Sequence, residues 1–308
     1  MGSSQGEFHA GLHRLALFLA CFTPVLLLAG ALVTSTGSSL SVPDWPLSFG
    51  TFFPRMEGGV LFEHGHRLIA GTVVCLTLGI AFYAQRVEPR VWVRGLAWAA
   101  LGAVLLQAIL GGVTVLWHLP TQVSVAHAGL AQIFFCLAVS LALVTSPGWI
   151  RERPGRLPAS PLPKVAAAVT GLVYLQIVVG AVTRHSGAGL AIPDFPLSFG
   201  QILPPEWTSP VLLQFLHTRL GASAVLVSVS LLAYRVCRKY PEESLLFWPA
   251  ASAALLVWVQ CFLGFGVLLT RKAILPTSLH VVVGAGVLGS TLVLTLKSHQ
   301  LFKKGEAR

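Results

Sequence analysis

With 308 residues of which 55% are hydrophobic and only 10% charged, and a mean hydropathy of +0.76, the chain is too apolar to hide its side chains in a soluble core. This excludes a soluble globular domain and predicts an all-α integral membrane protein. The net charge of +10 needs no nucleic-acid partner, because basic loops beside an anionic lipid leaflet account for it.

Taken in chain order, eight apolar stretches reach the roughly 20 residues that a bilayer-spanning helix requires. They run over 15–36, 62–84, 95–117, 124–146, 164–185, 213–235, 246–270 and 277–297. The first follows a short basic flank, His13 and Arg14, but it is too long for a signal segment and ends in no small-residue cleavage site, so it reads as a helix. Between the fourth and fifth stretches lies SPGWIRERPGRLPASPL, residues 146–162, a Pro-, Gly- and charge-rich run that marks a linker at roughly 147–163. It divides the chain into an N-terminal four-helix bundle, 1–146, and a C-terminal one, 164–308. Placing both termini on the cytoplasmic side puts fifteen Lys and Arg, Lys304 and Arg308 among them, in inner segments against six outside. The chain is therefore expected to cross a cell membrane many times with both termini on its inner side. An even helix count per half makes the two bundles enter from the same side, related by a pseudo-twofold axis along the membrane normal.

The halves also repeat in detail. LSVPDWPLSFGTFFP at 40–54 returns as LAIPDFPLSFGQILP at 190–204. Pro43, Pro46, Pro193 and Pro196 forbid a regular helix there, and Trp45, Phe49, Phe52 and Phe53 suit the bilayer interface. These segments are expected to fold back as caps over the outer ends of the bundles or to anchor at the interface. A second echo, Gln107–Gly111, Gln176–Gly180 and Gln260–Gly264, sets an amide and a glycine on one helix face, which suits close helix packing or the approach of a flat ligand. Cys21, Cys75, Cys136, Cys237 and Cys261 have neither zinc-site spacing nor an outer-face disulfide pattern.

Of ten histidines, His9, His13 and His299 are terminal, His118 and His185 lie in or beside loops, and His64 is turned away from His66 by its i, i+2 spacing. The other four, His66, His127, His217 and His280, match between halves at offsets of 151 and 153 residues and sit about one turn inside the outer ends of even-numbered helices. An ionisable side chain within a membrane helix points to function, and two imidazoles on facing helices can hold a haem iron axially. A proton relay, another metal or simple packing are the alternatives. One difference separates the pairs: Glu63 precedes His66 on the same face, where the second half has Gln214 before His217. A carboxylate in an apolar pocket can exchange a proton that an amide cannot. It can also merely orient His66 or pair with Arg67. Arg67 and Arg219 follow their histidines and suit haem propionates or interfacial anchoring.

The Pro-Asp-Trp-Pro loop, Glu63-x-x-His66-Arg67, the three further histidines and the duplicated eight-helix plan together resemble the haem A synthase family over about residues 12–297. The resemblance implies oxidation of the C8 methyl of haem O to a formyl group, giving haem A for cytochrome oxidase, through two oxygenations. It implies a resident haem b on His217 and His280, substrate haem O at His66 and His127 with Arg67 beside them, haem iron as the metal at all four histidines, and Glu63 as the catalytic carboxylate. Both sites would lie near the outer face. Expected partners are membrane lipid, haem O synthase and an electron donor, with homo-oligomerisation open. Two departures stand out: Val42 and Ser48 flank the loop motif where many members have a cysteine pair, and Thr218 separates His217 from Arg219, which turns Arg219 to another face. A diheme b-type electron-transfer protein without chemistry on either ring, or a transporter, are the rival readings.

Overall fold

A computed structural model describes residues 8–303, so Lys304 and Arg308 lie outside the described residues. Within them are eight helices long and apolar enough to span a bilayer. They are α1 (Ala10–Ser35), α2 (Gly59–Val87), α3 (Val91–Leu116), α4 (Thr121–Val144), α5 (Leu162–His185), α6 (Ser209–Lys239), α7 (Ser244–Leu269) and α8 (Ile274–Leu301). Each begins a few residues before the apolar run that announces it, because the backbone ladder continues into flanking polar residues once hydrogen-bonded. As a result the four histidines sit about two turns inside their helices rather than one.

Each half has its own apolar core. Leu12, Leu19, Ile80, Phe134 and Leu141 anchor the first; Leu246, Leu288, Leu294 and Leu301 anchor the second. Across the seam, the first helix of each half packs on the last helix of the other, α1 on α8 and α5 on α4. A small cluster of Leu27, Phe135 and Ala285 fills the middle of that seam. The last helices are therefore the central ones: 44% of the most apolar stretch of α4 and of α8 is buried, against 11% in α7. Large side chains such as Trp248, Leu255 and Phe262 are left facing outward, where a lipid surround accommodates them without a hydrophobic penalty.

Polar contacts close the seam at both ends. At the linker end Lys297 Nζ donates to the Gly148 carbonyl (3.2 Å) and to Gln300 Oε1 (3.0 Å), and Gln300 Nε2 donates to the Trp149 carbonyl (2.7 Å). The linker itself, which contains a short helix at Pro147–Ile150, is tied to the end of α8 by Gly155 N–H to the Gln300 carbonyl and Leu157 N–H to the Leu301 carbonyl. The five cysteines are free. Replacing Gln300 with Ala would strip the Trp149 carbonyl and the Lys297 ammonium of a partner in a dry setting. We expect a destabilisation of about 1–3 kcal/mol, read as a lowered unfolding temperature of the detergent-solubilised protein.

Candidate functional site

The histidines face inward from α2, α4, α6 and α8, and each imidazole lies edge-on against a glycine of the preceding odd-numbered helix. A Cβ on Gly30, Gly111 or Gly264 would stand 3.1 Å from Cε1 of His66, His127 or His280, and one on Gly180 would stand 2.6 Å from Cε1 of His217. Any larger residue would displace the ring, so the glycines set how close ring and helix come. Gly30 lacks the glutamine that marks the other three, so the Gln–Gly spacing missed it; its alignment with Gly180 at an offset of 150 is the signal that finds it.

Those glutamines brace the histidine backbones. Gln107 Nε2 donates to the His127 carbonyl at 2.8 Å, and Gln176 Nε2 to the His217 carbonyl at 2.7 Å while lying 3.1 Å from that ring's Nδ1. Gln260 packs against the backbone at Gly284, one turn past His280. The position on α1 equivalent to Gln176 is Leu26, so the His66 carbonyl has no such brace.

In the second half the His217 and His280 ring centroids are 6.4 Å apart and the rings are nearly perpendicular, at 86°. His217 and His280 are the residues that would hold a metal centre between these rings. In the first half His66 and His127 take the equivalent places, each against the glycine of its preceding helix. Nδ1 of His66, His127 and His280 is buried without a hydrogen-bond partner in the protein. Among the described residues no group of three or more His, Cys, Asp or Glu could cage a metal ion. The pairs thus suit a group that brings its own equatorial ligands, and the donor set fits bis-histidine haem.

Each pair is covered by one of the repeated loops, residues 36–58 and 186–208. Both contain a tight turn closed by reciprocal backbone bonds, Ser48 with Thr51 and Ser198 with Gln201. Phe49 (φ 54°) and Phe199 (φ 58°) occupy the left-handed region that side chains seldom adopt. The aspartate of each motif holds the turn: Asp44 accepts from Phe49 and Gly50 N–H at 2.7 and 2.8 Å, and Asp194 from Phe199 and Gly200 N–H at 2.7 Å each. The Gly50 and Gly200 bonds are the largest influence on these carboxyls, and with the Phe49 and Phe199 bonds they hold them below the usual carboxylate range.

Glu63 and Gln214 dock the loops onto the bundles. Glu63 Oε2 accepts from Val42 N–H (2.9 Å), and Gln214 Oε1 accepts from Ile192 N–H (2.6 Å) while its Nε2 donates to the Ile192 carbonyl (3.2 Å). Glu63 Oε1 also pairs with Arg67 at 2.7 Å. Arg67 Nη1 donates to the Asp44 and Leu47 carbonyls, and Arg219 Nη2 to those of Asp194 and Leu197. The expectation that Thr218 turns Arg219 to another face is therefore overturned. Residues Leu216–Gly221 form a π-helical turn, which absorbs the one extra residue and returns Arg219 to the Arg67 position. His64, set aside because it points away from His66, is buried with Nδ1 2.7 Å from Ser48 Oγ, and so serves as a loop anchor.

The loops differ in one packing contact. The Trp45 indole lies against Gly112, where a Cβ would stand 2.5 Å from the ring, whereas Phe195 packs on Phe265 with centroids 5.6 Å apart. Gly112 adjoins the glycine that receives His127, so Trp45 reaches the edge of the first histidine pair.

The profile of a family of cytochrome oxidase assembly proteins matches residues 57–292. A haem A synthase of Shouchella clausii is 31% identical over 279 residues, covering 87% of this chain and 90% of the relative. One of Symbiobacterium thermophilum is 33% identical over 248 residues, covering 77% and 80%. A third, of Alkalihalophilus pseudofirmus, is 28% identical over 289 residues, covering 89% and 94%.

Asp44→Ala removes the acceptor that holds Phe49 in its strained conformation, and should make the first loop cleavable by added protease while the second stays protected; Asp194→Ala should do the reverse. With folded-state carboxyls below their unfolded value, the turns' stabilisation is present above about pH 4 and is lost as pH falls through the lower folded value. Protease protection should therefore be unchanged between about pH 5 and 8.

Proposed function

Because the chain belongs to the haem A synthase family of cytochrome oxidase assembly proteins, we propose that it oxidises the C8 methyl of haem O to the formyl group of haem A. Within that reading the N-terminal half, residues 1–146, receives the substrate between His66 and His127. The C-terminal half, residues 164–308, keeps a resident haem b on His217 and His280, and 147–163 joins them on the cytoplasmic side. The halves stand as a pseudo-twofold pair, which the reciprocal α1–α8 and α5–α4 packing supports, with both termini cytoplasmic, as the basic inner loops favour, and the histidine pairs near the outer face of the inner membrane.

The observation that carries the assignment of roles is Glu63 against Gln214. Both hold a loop backbone over their pair, but only Glu63 brings a carboxylate, and it is buried at 4% exposure beside His66. Glu63 keeps an acceptor, and a place for a proton, next to the substrate ring; Arg67 orients it through Oε1 and Val42 through Oε2. The Gln214 amide ties down its loop through both a donor and an acceptor and cannot exchange protons, as suits a pocket that stores its occupant. A resident haem would supply one-electron redox chemistry, while His217 and His280 fix its position and the second loop excludes water. The missing brace at Leu26 leaves the His66 backbone less restrained than the other three, which suits a site that must admit and release its ligand. An electron donor and a haem O-supplying enzyme are the partners this reaction requires.

Two outcomes test the reading. His217→Ala or His280→Ala should abolish the resident low-spin haem signal in reduced-minus-oxidised spectra; an unchanged spectrum would place the ligands elsewhere. Glu63→Gln, in cells supplied with haem O, should yield protein carrying haem O with product formation reduced at least about 100-fold, within the usual range for loss of an acid–base group. Acid-acetone extraction with chromatography and mass spectrometry reads both haems, and normal haem A yield would defeat the role given to Glu63.

A further inference from the structure

Arg184, in the last turn of α5, is a half-buried cation for which the reaction as described has no use. Its Nη2 donates to the Ala31 carbonyl (3.2 Å) and to Ser35 Oγ (2.9 Å), both on α1 of the other half. Both acceptors are neutral. The ion pairs among the described residues are Arg67–Glu63, Arg90–Glu88, and Arg156 with Glu152 and Glu243, so Arg184 has no carboxylate partner. A charge within a membrane-spanning segment is costly to leave uncompensated. A helix C-terminus favours a cation, but here the guanidinium reaches across to α1 instead of its own last carbonyls.

Its place on the helix says what could supply the missing anion. Gly180, the glycine against which His217 lies, is four residues earlier and so on the same face, one turn deeper. Ser278, two residues before His280 on α8, bonds Ser35 Oγ at 3.2 Å, so Arg184, Ser35 and Ser278 form a polar chain above the second histidine pair at its loop end. A haem on that pair carries two carboxylates on one edge of its ring; Arg67 is neutralised by Glu63 and bonds two loop carbonyls, while Arg219 bonds two loop carbonyls and Thr218 and keeps only its buried Nε without a partner.

We propose that Arg184 binds a propionate carboxylate of the haem held by His217 and His280. This rests on the reading of that pair as the resident haem's ligands. The guanidinium fork suits a carboxylate, and the bonds to α1 hold it ready without neutralising it. Arg184 is then a cofactor-binding residue, and it makes the resident site depend on contact between the two halves.

The test is a redox titration of the resident haem in the purified full-length protein, with haem content per chain measured alongside. Arg184→Gln should shift the midpoint potential to more negative values, since losing a nearby cation favours the more positive ferric state, and should lower haem retention. Arg184→Lys, which keeps the charge, should stay near the unmodified potential. Ser35→Ala, which removes a bond to α1 but leaves the charge, should lower thermal stability without moving the potential. Wild-type potential and haem content in Arg184→Gln would overturn the assignment, as would equal losses of stability in Arg184→Gln and Ser35→Ala with no change in potential, the mark of a clamp between halves. Absence of haem from the unmodified protein would overturn both the reading of the histidine pair and this assignment, whereas a haem-loaded protein that makes no haem A would count against the proposed reaction alone.

Discussion

A neutral imidazole two turns inside an apolar bundle has lost its water and must find something for its ring nitrogens, or bear the cost of a buried unpaired polar group. In this protein it happens four times, and three of the four rings have an Nδ1 with no protein partner. The surrounding architecture follows from holding those rings apart and aimed. Glycines on the odd helices let each ring edge approach a backbone, and glutamines hold three of the four histidine segments.

The cap loops answer the other half of the same problem, which is to close the mouths of two pockets without a continuous helix. Each does so with an aspartate-clamped turn and an arginine that reaches two loop carbonyls. The π-helical turn at Leu216–Gly221 shows how strongly that arrangement is kept. One additional residue after His217 is accommodated by widening the helix locally, and Arg219 still meets the carbonyls that Arg67 meets in the other half.

Against that common frame, a few departures make the two halves chemically different. Glu63 and Gln214 hold equivalent loop amides with different chemistry; Leu26 stands where Gln176 braces; Trp45 on Gly112 replaces Phe195 on Phe265. Each departure in the first half adds a charge, loosens a support or brings an aromatic ring closer to the histidines. None alters the bundle.

Eight spans, two halves, the four histidines and the Glu63–Gln214 difference were legible in the sequence, because hydropathy, helical periodicity and internal repetition are properties of position along the chain. The Glu63–Arg67 pair, four residues apart on one helix, was legible too; what His64, Arg184 and Arg219 touch, and the bonds of Arg67 to its loop, were not, since these reach backbone carbonyls or hydroxyls that no local pattern marks, and those of Arg184 lie roughly 150 residues away. The register of Arg219 was misread for a related reason: spacing rules assume 3.6 residues per turn, and the helix departs from that value where tertiary bonds reward it. Hydropathy and internal repetition were enough to require two matched histidine pairs inside a membrane bundle. Which side chains close, brace and charge the ends of each bundle depends on how helices distant in the chain meet, and no pattern along the chain records that.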